Sequence, residues 1–339
     1  MNYYTLILVT FFLFLFGSNI STKLKLLDYP EKRKIHNIPI PFTGGIIISI
    51  IYLFVVQITN FDEQIHNQIL IYGFVIAVFG LIDDKYNLNV GSKLILQLFP
   101  IVILVFISDT KIETLNNFPV FGDVSLGSFD YIFTIICVYF LINSSNYIDG
   151  LDGILGTSFL ISTISLFIYI NNLNFEISKF IIYLIIPVFV FLLFNFKFLK
   201  LPKIFLGDSG SFLLGYVLSF LMIVANKNYN VDLGVIIWFL SFQVYEFLSV
   251  NLARLQNGQN LFKPGQDHVH HLIYKATNST LATNLYLLAI QIFLISVGFL
   301  TFKFFMTEIS IVLFLLLFFI YFLCRKKISY LKNLFYLRK

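Results

Sequence analysis

Apolar residues in this chain run in long blocks separated by short polar stretches, rather than in the single stripe of a soluble amphipathic helix. A block of about 15–23 apolar residues is the length needed to cross a hydrocarbon layer about 30 Å thick. The pattern predicts eleven transmembrane helices, near residues 3–20, 45–59, 69–82, 94–108, 131–142, 154–170, 180–194, 212–225, 234–250, 285–301 and 309–323. Several are short for such a layer, and the third and fifth run straight into polar motifs. That is tolerable only where protein or a water-filled cavity surrounds their ends, so short helices here point to a site.

The expected fold class is therefore an all-α polytopic membrane protein. A composition of 58% hydrophobic and 12% charged residues excludes a soluble globule. Two cysteines, Cys137 and Cys324, cannot build a disulfide framework, and neither has the neighbours of a reactive thiolate. Of the 23 Lys and Arg residues, 19 fall on one set of alternate loops. The positive-inside rule places that set in the cytoplasm, with the N-terminus outside and the C-terminus inside, as an odd number of spans requires. No cleavage pattern follows the first helix, which is expected to be retained.

No fixed-period repeat or flexible linker breaks the chain, so one transmembrane domain is expected over 1–323. Residues 324–339 form a basic cytoplasmic tail with aromatics among its charges, suited to an anionic lipid surface rather than to nucleic acid. The external loops are plain except at 109–130, where residues 118–127 predict a small β-hairpin around a Gly122-Asp123 turn.

Five polar clusters fall on the cytoplasmic side. The first runs from Asp28 through Arg33, Lys34 and His36 to Gly44-Gly45 at a helix start, where backbone amides could meet an anion; on its own it reads more readily as an ordinary basic loop with turn prolines. Asp83-Asp84 closes the third helix, at the end where the helix dipole opposes negative charge, which favours a functional role. Asn143, Asn146, Asp149 and Asp152 recur every three residues, with Gly150 and Gly153 among them, and suit a ligand-binding wall better than a twelve-residue calcium loop. Asp208 opens the eighth helix in Phe205-Leu-Gly-Asp-Ser-Gly-Ser211, either as an N-cap or as an oxygen ligand for Mg2+. His268, His270 and His271 share the longest cytoplasmic loop with Arg254, Lys263 and Asp267. No cysteine or further histidine pair nearby completes a zinc shell, so phosphate binding is the favoured reading there.

In this order, the motifs resemble those of the polyprenyl-phosphate N-acetylhexosamine-1-phosphate transferases (glycosyltransferase family 4), over nearly the whole chain. The His-x-His-His motif resembles the branch that uses UDP-N-acetylglucosamine. That branch carries Asp where Glu246 stands, and here the acid before the histidines is displaced to Asp267.

The resemblance implies an enzyme that moves N-acetylhexosamine 1-phosphate, N-acetylglucosamine 1-phosphate foremost, from a UDP-sugar to undecaprenyl phosphate, releasing UMP and starting a surface glycan. It implies a bacterial inner-membrane protein acting at the cytoplasmic face, with Mg2+ (or Mn2+) as cofactor; the sequence leaves the choice between monomer and homodimer open. By the same resemblance Asp208 holds the metal, and Asp83 and Asp84 position or deprotonate the lipid phosphate. Asn146, Asp149, Asp152 and Phe205 line the nucleotide pocket, with the Phe205 ring free to stack on uracil. Arg33, Lys34, His36, Arg254, His268, His270 and His271 meet phosphates or sugar. The alternatives are a phospho-N-acetylmuramoyl-pentapeptide transferase, whose corresponding loop has three consecutive histidines, and a secondary transporter, which would be expected to show a repeat pair.

Overall fold

The computed structural model describes residues 2–30, 36–59, 61–118, 122–170, 175–260, 265 and 267–336. It is nearly all helical, and the chain divides into two compact units, 1–112 with 129–230 and 113–128 with 231–339.

Unit 1 holds α1 (Tyr3–Lys23), α2 (Gly44–Thr59), α3 (Gln64–Tyr86), α4 (Val90–Ser108), α5 (Asp130–Ile148), α6 (Ile154–Ile170), α7 (Phe175–Asn195) and α8 (Gly207–Tyr229). Two short strands, β1 (Leu27–Asp28) and β2 (Ile40–Pro41), pair antiparallel between α1 and α2. The first turns are set locally where the sequence allows it. Asn89 caps α4 by accepting the Ser92 amide at 2.9 Å, and Asn87 ends α3 in the left-handed region at φ 48°.

At the centre of unit 1 lies α8, 94% buried over its apolar stretch and packed on α3, α5 and α2. Small residues permit that closeness, since backbones approach only where side chains are missing. A Cβ built on Gly45 would lie 1.9 Å from the Gly210 nitrogen, and one on Gly80 would lie 2.5 Å from the Asp208 carbonyl oxygen. These two glycines bring α2 and the end of α3 against the start of α8, which is where the acidic motifs sit.

Unit 2 holds the hairpin β3 (Thr114–Phe118) and β4 (Gly122–Ser125), then α9 (Leu233–Phe239), α10 (Ser241–Gln256), α11 (Val269–Thr277), α12 (Thr280–Phe304) and α13 (Thr307–Tyr336). Its core gathers Trp238, Tyr245, Leu294, Phe314 and Phe318, with the Trp238 indole nitrogen donating to Ser310 Oγ at 2.8 Å. The expected hairpin is present, but its first strand starts earlier, and Gly122 and Asp123 lie in the second strand instead of at the turn.

Among the described residues, eight helices are long and apolar enough to cross a membrane, and α9 with α10 makes a ninth if the pair is one span. That pair was expected as a straight helix over 234–250 and instead bends by 72° at Leu240. The helices α2 and α6 are apolar but shorter. Two polar ends reach further into helix than expected: Asn143 and Asn146 lie within α5, and α8 begins five residues before 212. Asp83 and Asp84 lie in the last turn of α3, as expected. Helix α13 runs through Cys324 and Arg325 without a break.

Candidate active site

The acidic centre of unit 1 is built from four helix ends. From the last turn of α3, Asp84 accepts the backbone amides of Asp208 and Ser209 at 3.0 and 3.3 Å. A carboxylate from another helix thus caps α8, satisfying orphan donors where the helix dipole is positive. Both Asp84 oxygens and those two amides are engaged with each other, so the amides at the start of α8 are not offered to an anion. The same holds for the amides of Gly44 and Gly45, which donate to the carbonyls of Phe205 and Leu206 at 2.9 Å each. Gly44-Gly45, for which an anion cradle was the less favoured reading, is a seam that fixes α2 to the segment before α8.

Beside Asp84, the Asp83 carboxylate accepts the Leu88 amide at 3.0 Å and lies 2.7 Å from the Lys93 ammonium. Lys93 donates equally to Asp208 Oδ2 at 2.9 Å. The other Asp208 oxygen accepts from Asn146 Nδ2 at 2.7 Å, and Asn146 also reaches Ser211 Oγ at 2.9 Å. Two carboxylates from α3 and α8 therefore face one cation from α4, and an amide from α5 fixes the second carboxylate. Asn143 points elsewhere, to Gln97 Oε1 at 3.3 Å and the Tyr139 carbonyl at 2.8 Å.

The turn between α5 and α6 supplies the next layer. Asp149 is half-buried, and desolvation of its carboxyl first, then the negative charges of Asp208 and Asp152, push it up to about 8. Asp152 pairs with Lys203 at 2.6 Å, and the Lys203 ammonium lies 5.1 Å from the Phe205 ring centroid. His36 meets the same ring edge-on at 5.2 Å, with its Nε2 3.0 Å from Asp28 Oδ2. The Phe205 ring, expected to be free for stacking, thus already has a cation and a histidine against it. Arg33 and Lys34 lie outside the described residues.

Unit 2 carries the histidines. His268 precedes α11, its Nδ1 3.3 Å from Glu246 Oε1, while His270 and His271 occupy the first turn with ring centroids 4.2 Å apart. His270 is fully buried and neither of its ring nitrogens has a hydrogen-bond partner. Burial and the neighbouring His271 and His268 hold it well below the usual histidine range. Burial, then His268 and Lys275, lower His271 to about 4. Arg254 grips Asp267 with a two-bond fork, Nε at 2.9 Å and Nη2 at 2.8 Å. Burial raises the Asp267 carboxyl, but the fork and His268 outweigh it and hold the group below the ordinary carboxylate range.

Among the described residues no three His, Cys, Asp or Glu side chains converge as a metal cluster, which leaves the zinc alternative for the histidines without a ligand set. Mg2+ asks for less protein. It is commonly held by one or two carboxylates, with substrate phosphates and water completing six oxygens. Asp83 and Asp208 present hard oxygens to one positive charge, so the donor chemistry fits that ion.

Lys93 and Lys203 were not singled out by sequence reasoning, although both bind the motif acids. A signal existed for Lys93: a lysine in the first turn of an apolar helix is opposed by the helix dipole and needs an acidic partner.

Residues 67–226, which span Asp83, Asp84, Asp149, Asp152 and Asp208, match the model of glycosyl transferase family 4. The chain is 26% identical over 327 residues to the undecaprenyl-phosphate alpha-N-acetylglucosaminyl 1-phosphate transferase of Escherichia coli (strain K12), covering 94% of this chain and 88% of that one. It is 25% identical over 290 residues to the Yersinia pestis protein of the same name, covering 81% and 79%. A Bacillus subtilis protein that bears the N-acetylglucosaminyl 1-phosphate transferase name in qualified form is 29% identical over 259 residues, covering 74% and 70%.

Proposed function

We propose that this chain, a glycosyl transferase family 4 protein over residues 67–226, transfers N-acetylglucosamine 1-phosphate from UDP-N-acetylglucosamine to undecaprenyl phosphate. The observation that carries the reading is the clasp of Lys93 by Asp83 and Asp208 at the buried meeting of α3, α4 and α8. In the reaction, an oxygen of the lipid phosphate attacks the β-phosphorus of the donor. The bond from that phosphorus to the bridging oxygen breaks, UMP leaves with that oxygen, and a lipid-diphosphate-sugar is formed. Two anions must meet, so their repulsion is the barrier that the site has to lower.

Lys93 supplies one positive charge at that point, and Asp83 and Asp208 hold it in place. The same two carboxylates would hold Mg2+, whose contribution when bound is neutralisation of the donor diphosphate. Asp84 acts on the protein itself, anchoring the first turn of α8 so that Asp208 keeps its aim. Protonated Asp149 is a hydrogen-bond donor for a carbonyl oxygen of the nucleobase, while Asn146, Asp152 and Phe205 complete the pocket. In unit 2 the His268 loop serves the sugar and phosphates of the donor, with Arg254 acting through Asp267. The sequence from 257 to 267 carries one basic side chain, Lys263, and two large hydrophobic ones, Leu261 and Phe262, which offers few polar partners to a peptide-bearing donor and suits a small UDP-N-acetylhexosamine.

The reading extends to eleven crossings: the eight long helices, the α9–α10 pair, and the shorter α2 and α6. With the basic loops inside, the motif loops face the cytoplasm of a bacterial inner membrane. The product would begin a lipid-linked surface glycan.

The test is UMP release by purified protein in detergent with undecaprenyl phosphate and a panel of UDP-sugars. UDP-N-acetylglucosamine should be the best donor, and preference for UDP-N-acetylmuramoyl-pentapeptide would overturn the assignment. Asp208→Asn preserves shape but removes the charge. It should lower turnover at least about 100-fold and abolish the response to added Mg2+, so near-normal turnover of this variant in EDTA would remove Asp208 from the metal role.

A further inference from the structure

Arg325 stands first in the basic tail by sequence, yet it is only 4% exposed. Its guanidinium is turned into unit 2, where Nη1 donates to the Ser249 carbonyl at 3.2 Å and Nη2 donates to the Asp267 carbonyl. One helical turn earlier on the same face of α13, the Tyr321 hydroxyl donates to Glu246 Oε2 at 2.8 Å. Glu246 is fully buried, and its other oxygen accepts the Val269 amide at 2.8 Å and faces His268 Nδ1 at 3.3 Å. The Arg254 fork closes on the Asp267 carboxylate from α10.

Three consecutive residues are thereby held: Asp267 by its carbonyl and carboxylate, Val269 by its amide, and His268 between them, with Nδ1 3.3 Å from the Glu246 carboxylate. That approach lacks the alignment of a hydrogen bond, so Glu246 acts on the ring by charge and proximity. The Nε2 edge then points away from Glu246. We infer that Tyr321 and Arg325 of α13 are positioning residues that lock the Asp267–His268–Val269 segment and, through Glu246, set the orientation of His268. The inference rests on the proposed function, in which this loop serves the donor. It gives the first turns of the tail helix a part in substrate recognition in place of a seat on the lipid surface.

The experiment compares Arg325→Met, Arg325→Lys and Tyr321→Phe in the full-length protein, with KM for UDP-N-acetylglucosamine and for undecaprenyl phosphate measured separately. Arg325→Met should raise the donor KM by about tenfold or more while the acceptor KM stays within about twofold. Arg325→Lys, which can still reach one carbonyl, should recover part of the loss, and Tyr321→Phe should raise donor KM by a few fold. An activity-independent readout is the rate of diethyl pyrocarbonate modification at His268, followed by mass spectrometry. UMP should protect His268 in the wild type and much less in Arg325→Met.

Unchanged donor KM in both Arg325→Met and Tyr321→Phe, with UMP protection intact, would overturn the inference. So would a loss that falls equally on donor, acceptor and thermal midpoint, because that marks a merely structural role. Failure of the wild type to release UMP from any UDP-sugar would sink the proposed function instead, and the two failures are thus distinguishable.

Discussion

Lys93 sits between two carboxylates at 2.7 and 2.9 Å, and without it the acids would face each other across a half-buried gap. Lys93→Met should therefore cost about 2 kcal/mol in stability, because removing one partner of a partly buried pair leaves uncompensated charge. A thermal melt in detergent checks the stability, and UMP release should fall at least about 100-fold in the same sample. The histidine loop yields a pH prediction. Folded His271 stays neutral down to about 4, whereas in the unfolded chain an ordinary histidine binds a proton below about 6.5. Its contribution to stability is complete above pH 6.5 and is lost as pH falls toward 4, by an amount of order 2 kcal/mol. His271→Gln should flatten the fall in thermal midpoint between pH 6.5 and 4, and an unchanged slope would show that the ring takes up its proton alike in the folded and unfolded chain. At this scale the sequence exposed the motif acids because charge is conspicuous in an apolar chain. It did not expose their partners. That Asp84 would cap a helix beginning 123 residues later depends on tertiary packing, and no local spacing encodes it.

Apolar blocks mark helices legibly because a bilayer leaves few other ways to satisfy the backbone, and each expected span has a helical counterpart. The bend at Leu240 was illegible for the complementary reason. The break lies in Trp238-Phe-Leu-Ser-Phe242, with neither proline nor glycine to announce it. Glycines elsewhere mislead in the other direction: Gly44-Gly45 can be read as an anion loop, yet Gly45 is there to let α2 touch α8. Gly45→Ala would force a Cβ to 1.9 Å from the Gly210 nitrogen, and no flexible side chain stands there to move aside. The expected loss is more than about 3 kcal/mol, read as a collapse of the detergent melt or of membrane yield. Gly91→Ala is the control, because the nearest atom to its added Cβ lies at 3.5 Å, and it should leave the melt unchanged within about 0.5 kcal/mol.

For the molecule as a whole, the proposed orientation rests on the distribution of basic residues, 19 of 23 of which fall on the set of alternate loops that includes the motif loops. Ser125 lies on the exposed strand β4 and Gln259 is exposed beyond α10. In a variant whose two native cysteines are replaced, Ser125→Cys should react with an impermeant maleimide in intact cells. Gln259→Cys should react only after the membrane is opened, and the reverse pattern would invert the topology. The central place of α8 has a consequence for how the protein is made. When synthesis has reached residue 195, α2, α3 and α5 are complete, but the helix that their glycines and Asp84 are shaped to receive has not yet been translated. The nascent protein is then a socket without its pin, with an acidic group and small-residue faces turned toward a gap, and neither the Lys93 clasp nor the Asp84 cap can form until α8 threads into place. Ribosome stalling or truncation in that interval would yield a chain with most of the helices of unit 1 and none of the contacts that join them at its centre.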